Sequence, residues 1–256
     1  MKLLIQSDDY GISKAQALGC IEAIKYGLLK NTGIFVNMPW FEECAELIKP
    51  YINSIDLGID LNLSTGSPLL SPKEIPSLCQ KNGIFLTSSM NRALDTKDNN
   101  YDHMNYEEAY KECEAQINKY IDYFKRLPDY IQAHAYVADT VTKVQHDLSI
   151  KYNIPYTHDV VEKYGMKESD YWYTQPITYE NQYKSSLKEY ILQDKENLLS
   201  KEVACIVCHV GYVDRELMDL STYNIYRLND LDALTSEEVK QWVTDNKVEL
   251  VTYKNI

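Results

Sequence analysis

Apolar and polar positions change period repeatedly along this chain. The opening run Leu3-Leu4-Ile5-Gln6 is continuous, which fits a strand buried on both faces. Ser13 and Gln16 then form a capping box, and Ala17, Ile21, Ile24 and Leu28 give the following helix its apolar stripe. Ile34-Phe35-Val36 predicts a second strand, Trp40 to Ile48 a short helix, and Leu57 to Leu61 a third strand. The strongest helical period runs through Tyr106, Tyr110, Cys113, Ile117, Tyr120 and Phe124 and stops before Pro128. Tyr130 to Ala133 reads as a strand ending in His134, and a helix is expected from about residue 139 to 152. Lys184 to Leu199 reads as one helix, and Val203 to Val207 as a strand ending in Cys208-His209. Thr235 and Glu238 suggest a second capping box, and Val248 to Thr252 a closing strand. Between Ser64 and His103, where Pro68, Pro72 and Pro76 fall, no period is sustained. A stretch of that length is a lid, a substrate wall or a disordered loop.

Alternating strands and helices imply an α/β fold with a mainly parallel sheet covered by helices. Polar residues recur where the strands end: Asp8 and Asp9, Asp60, His134 and His209. In a barrel these ends gather on one face, where active sites lie. An open doubly wound sheet would gather them at a switch point, but no Gly-rich phosphate loop marks one. No repeat, low-complexity tract or linker divides the chain, so residues 1–256 are expected to form one domain.

The 256 residues suffice for a full-sized core. A formal charge of -12 argues against nucleic acid or an anionic membrane as a partner, because both repel an acidic surface. No signal-peptide pattern or long apolar span is visible, and a cytoplasmic location is expected. Six scattered cysteines are too few for a disulfide scaffold. Cys205 and Cys208 spell a CxxC inside a strand whose period turns their sulfurs to opposite faces, so both read as core residues. The 22 tyrosines against 4 phenylalanines carry no functional message at this level.

The Asp8-Asp9 pair at a strand end suits metal-assisted hydrolysis, with one carboxylate holding an ion and the other acting as a base. An acidic turn or helix N-cap explains the pair equally well in isolation. His134 and His209 alone also read as hydrogen-bonded strand-end residues, and His103, His146 and His158 as surface residues.

Several motifs in order resolve these alternatives. Leu4 to Gly11 resembles the opening LIVNADDFG of the YdjC-like carbohydrate deacetylases. Val36-Asn37-Met38-Pro39 is similar to their VNMP, Leu57 to Leu69 to their GLHLNLTEGRPL, and Cys208 to Asp214 to their CHPGYVD. Arg227 and Leu234-Thr235-Ser236 fit as well. The resemblance implies a TIM-like (β/α) barrel with its active site at the C-terminal strand ends. It also implies a divalent metal ion and removal of N-acetyl groups from small amino sugars such as chitooligosaccharides. It casts Asp9, Asp60 and His134 as metal ligands, Asp8 as the base and His209 as the acid that protonates the leaving amine. Asn37, Asn62, Tyr136 and Arg227 become candidate substrate-binding residues, and a homodimer is a further expectation.

Two positions depart from the family pattern: Asp60 stands where the family has a ligand histidine, and Tyr136 where it has a second histidine after His134. A centre of two carboxylates and one imidazole is less positive and richer in oxygen, which favours Mg²⁺ or Mn²⁺ over Zn²⁺; Mg²⁺ is the expected ion, with Mn²⁺, Co²⁺ and Zn²⁺ as alternatives. The alternative is a relative that kept the barrel and only binds sugar.

Overall fold

A computed structural model describes residues 1–95, 102–166, 168–169 and 171–256. Its strands are β1 (Lys2–Tyr10), β2 (Asn31–Ile34), β3 (Asp56–Leu61), β4 (Ile131–Ala133), β5 (Glu168–Ser169), β6 (Val203–Cys208) and β7 (Glu249–Val251). They form one sheet in the order β4-β3-β2-β1-β6-β5, with β7 also on β1, and every pairing is parallel. Helices fill the crossovers, as parallel neighbours require, and the α/β fold is barrel-like. Tyr156 makes a further parallel bridge to Ile131 beyond the β4 edge.

Period two along β1 divides the core. Leu3 and Ile5 pack among the helices in the large apolar cluster. Leu4 joins a smaller cluster with Tyr130, Cys205, Val251 and Tyr253 on the other face of the sheet. Cys205 and Cys208 fall in different clusters, as strand alternation predicts. Above Leu4 the same face turns polar, with Gln6 and then Asp8. Strand β2 begins where β7 ends along one edge of β1, and Asn31 seals the junction. Its amide donates to the carbonyls of Ile5 (2.9 Å) and Val251 (3.2 Å) and accepts from the Tyr253 N–H. That requirement explains why β2 starts at polar Asn31 and Thr32, ahead of the apolar run expected to form it.

Other boundaries moved for local reasons. The helix expected over 184–199 is broken into Tyr179–Lys184, Leu187–Leu192 and a 3-10 stretch at Lys195–Ser200. Ser186 caps the second piece, and Asp194, Glu196 and Asn197 take left-handed backbone. Near the C-terminus the cap is Ser236, which accepts from Val239 N–H, while the Thr235 hydroxyl donates back to Leu231. The described part of 64–103 is a built wall. Buried Glu112 accepts from the amides of Leu69 and Leu70, and Glu108 binds Ser77. Residues 96–101 of this stretch lie outside the described residues. No described helix is long and apolar enough to cross a membrane.

Gly33 and Gly58 are register partners on β2 and β3. A side chain at Gly58 would strike the Tyr130 ring, and one at Gly33 would stand 1.7 Å from Asp60 Oδ1. The Gly33→Ala variant is therefore predicted to lose about 1–3 kcal/mol of stability from overpacking. Most of that loss should vanish in an Asp60→Ala background, because the two sites share one clash. Urea unfolding of the single and double variants measures both.

Candidate active site

Asp9 is positioned by a fault in the ladder. Ser7 pairs with Thr32 and Tyr10 with Ile34, so three steps on β1 face two on β2. The extra residue is a β-bulge, a device that re-aims a side chain beside a functional site. Asp9 takes it up with a left-handed φ of 71°, a conformation aspartate tolerates better than most residues. Its N–H consequently donates to Asp60 Oδ2 at 2.7 Å. Its carboxylate meets His134 Nδ1 at 2.8 Å through Oδ1 and Arg227 Nη2 at 2.6 Å through Oδ2. Burial alone would raise the Asp9 pKa, but the adjacent His134 and Arg227 charges and the His134 hydrogen bond hold it well below the usual carboxylate range.

Asp8, outside the bulge's twist, keeps the direction of Gln6. Gln6 donates to one of its oxygens and Gln132, from β4, reaches the other at 3.4 Å. Each glutamine is oriented in turn, because the Tyr253 hydroxyl donates to Gln6 Oε1 and the Thr157 hydroxyl to Gln132 Oε1. Only the amide N–H groups remain to face Asp8.

His209 leaves β6 level with Asp8, since Ser7 and Cys208 are register partners. Its Nδ1 lies 3.0 Å from the Tyr173 hydroxyl, and its backbone N–H donates to Asp230 Oδ2. Burial pushes its pKa down to about 4, with the Arg227 charge adding to the shift and Asp9 opposing it. A shift of that size favours the neutral imidazole at pH 7.

Asp8, Asp9, His134, His209 and Arg227 line one cavity of about 630 Å³. Its walls come from Ser64 to Gly66, from Phe85 to Arg92 and from Asp219 to Tyr223. The strand-end residues expected to gather there do so, with one exception. Asp60 is fully buried, its Oδ2 taken by the Asp9 amide and its Oδ1 without a partner against Gly33. Burial and the charges of Asp8 and Asp9 push its pKa well above the usual carboxylate value, with the Asp9 N–H bond opposing the shift. Asp9 and His134 stand side by side as two donors, but Asp60 does not complete a centre with them. Among the described residues no three His, Cys, Asp or Glu side chains converge where a metal ion could sit. The expected three-ligand set does not fit this arrangement.

The substrate-binding candidates also do other work. The Asn37 amide holds the carbonyls of Thr65 and Ser67, and Asn62 bonds Asn37, Thr65 and Ser64. Together they present the Thr65 hydroxyl to His134 Nε2 at 3.1 Å. The Tyr136 hydroxyl is committed to both Asp95 oxygens, and His103, expected at the surface, binds the same carboxylate. Arg227 lines the cavity and bonds Asp9 and the Tyr223 carbonyl, while its Nη1 has no hydrogen-bond partner. Tyr173, Trp172 and Asp230 were not singled out from the sequence, where one aromatic among many carries no signal. Gln6 lies inside the opening motif and could have been found by its in-phase spacing to Asp8.

Because the Asp9–Arg227 pair is buried on both sides, removing one partner strands the other's charge. Arg227→Met is predicted to cost about 3–5 kcal/mol. A double variant with Asp9→Asn should cost less than the sum of the two singles. Chemical denaturation provides the numbers.

Comparison with known proteins identifies the family. A family model described as YdjC-like protein matches residues 2–245. A carbohydrate deacetylase of Clostridium beijerinckii is 30% identical over 267 residues, covering 100% of both chains. Carbohydrate deacetylase 2 of Listeria innocua is 29% identical over 261 residues, covering 100% of this chain and 99% of its own. A solved structure described as a putative cellobiose-phosphate cleavage protein from Enterococcus faecalis superposes with a TM-score of 0.81 at 28% identity, over 99% of this chain and 97% of that one. A family 4 carbohydrate esterase from Streptomyces lividans shares the fold at a TM-score of 0.50 and 9% identity, over 97% and 91% of the two chains. With a family model spanning nearly its whole length and relatives aligned end to end, this chain belongs to the YdjC-like protein family.

Proposed function

We propose that this protein is an amide hydrolase that removes N-acetyl groups from small amino sugars such as chitooligosaccharides, phosphorylated or not. The observation that carries the reading is the emergence of Asp8 and His209 at one level on the paired strands β1 and β6, both lining the cavity that also holds Asp9, His134 and Arg227. A carboxylate with two amide donors on its oxygens stays a proton acceptor, the role required for taking a proton from attacking water. His209 then serves the leaving nitrogen, because an amine departs only with a proton. The cavity's volume suits one or two sugar rings with the acetamide at its floor.

A divalent ion is part of this proposal, Mg²⁺ ahead of Mn²⁺, Co²⁺ and Zn²⁺. Asp9 and His134 would hold it with water as the remaining ligands, a partly hydrated state that Mg²⁺ accepts and structural Zn²⁺ does not. When bound it would polarise the acetamide carbonyl. Asp60 favours a second reading, a sugar-binding relative without turnover, because it withholds the third donor.

Acetate release from N,N′-diacetylchitobiose by metal-stripped protein, titrated separately with the four ions, distinguishes the readings. Release is expected to rise with Mg²⁺, to fall with chelator, and to drop by about 100-fold or more in Asp8→Asn. Release indifferent to every ion would remove the metal and leave the deacetylase. Tight sugar binding by calorimetry with no release under any ion would establish the second reading.

A further inference from the structure

Behind His209 lies a hydrogen-bonded chain whose direction is fixed at its far end. Asp230 is fully buried and accepts three bonds: from Trp172 Nε1 at 2.9 Å, from the His209 backbone N–H at 2.9 Å, and from the Tyr173 hydroxyl. A carboxylate has no proton to give, so the Tyr173 proton must lie toward Asp230. The Tyr173 oxygen then presents only lone pairs to His209 Nδ1, 3.0 Å away. That contact is a hydrogen bond only if Nδ1 carries the proton.

We propose that Tyr173, oriented by Asp230, is a positioning residue that fixes His209 in the Nδ1–H tautomer and leaves Nε2 bare as the proton-carrying atom of the cavity. Three further observations are consistent with this. Burial and the neighbouring Asp230 hold the Tyr173 pKa well above its ordinary value, so the phenol keeps its proton. Burial raises Asp230 to about 6, which leaves it a carboxylate at neutral pH. The rings of Trp172, Tyr223 and Tyr226 pack against Tyr173 with centroids 4.5–5.4 Å away, confining its hydroxyl.

The consequence for chemistry rests on the deacetylase reading. A neutral imidazole with a bare Nε2 cannot begin as an acid; it must take a proton before giving one. As water attacks, the new C–O bond forms and one water proton passes to Asp8. The second, on the hydroxyl of the tetrahedral adduct, passes to His209 Nε2. It is delivered to nitrogen as the C–N bond breaks, leaving acetate as its carboxylate. The proton held by Asp8 completes the ammonium or leaves to solvent. Throughout, Tyr173 stabilises the imidazolium from the Nδ1 side without itself losing a proton, and a fixed tautomer of this kind is what separates an active from an idle histidine.

The test is nitrogen-15 NMR of the imidazole rings at pH 7, with His209 assigned by its loss in His209→Gln. The wild-type protein is expected to show His209 neutral and protonated at Nδ1, and Tyr173→Phe to shift it toward Nε2–H. In the acetate-release assay the same variant should lose about 10- to 100-fold in kcat with KM unchanged within about twofold. A wild-type Nε2–H tautomer would overturn the assignment, as would an unchanged tautomer in Tyr173→Phe or a change confined to KM. If the wild-type protein releases no acetate from any substrate tried, the deacetylase reading fails, while the NMR result still decides the tautomer by itself.

Discussion

The buried charge of Asp9 is the constraint around which the rest of the site is arranged. A carboxylate removed from water survives as an ion only with opposite charge and hydrogen bonds at every oxygen. Its two oxygens are met by His134 after β4 and by Arg227 from the helix Ile225–Thr235, while its backbone N–H is taken by Asp60 on β3. Satisfying one residue thus ties together the first strand, the β3–β4 end of the sheet and the C-terminal helices. The β-bulge is what makes this possible, because a regular β1 would send Asp9 to the face opposite Asp8 and away from at least one of these partners.

A second consequence is the raised pKa of Asp60. Buried beside Asp8 and Asp9, its ionised form would add a third negative charge where little solvent screens it. Gly33 supplies the space that lets the carboxyl lie flat under the bulge. At the position where the resemblance implies a histidine, this chain has a short carboxyl whose Oδ2 accepts from the Asp9 N–H and braces the bulge that presents Asp9.

The two faces of the cavity differ in the kind of order they impose. On the Asp8 side, glutamines anchored by Tyr253 and Thr157 reach in from the sheet's inner face, above the apolar layer of Leu4 and Cys205. On the His209 side, aromatic rings pack around Tyr173 behind the imidazole, and Tyr173 and Trp172 bond Asp230. Asp8 thus sits among amide donors and His209 against aromatic rings, so one cavity sets its two strand-end groups in different surroundings.

By itself the sequence determined the alternation of strands and helices, the parallel sheet, and which strand ends carry carboxylates and imidazoles. These follow from local period and from residue types that have few other reasons to recur at such positions. It also made Asp8, Asp9, His134 and His209 recognisable as a set, through motifs that each span only a few residues. Local patterns could not show the bulge at Asp9, the start of β2 at Asn31, or the break in the helix expected over 184–199, because each is decided by a partner distant in the chain. The same holds for roles. Asn37, Asn62, Tyr136 and Arg227 read as substrate candidates, and folding adds Thr65, Asp95 and Asp9 as their neighbours. Asp60 read as a ligand, and folding turns its Oδ2 to the Asp9 N–H; Tyr173 was one tyrosine among 22 until it lay between His209 and Asp230. Residue type sets which bonds and charges a side chain can offer; only the packed structure decides which partner takes them and whether water is present to compete.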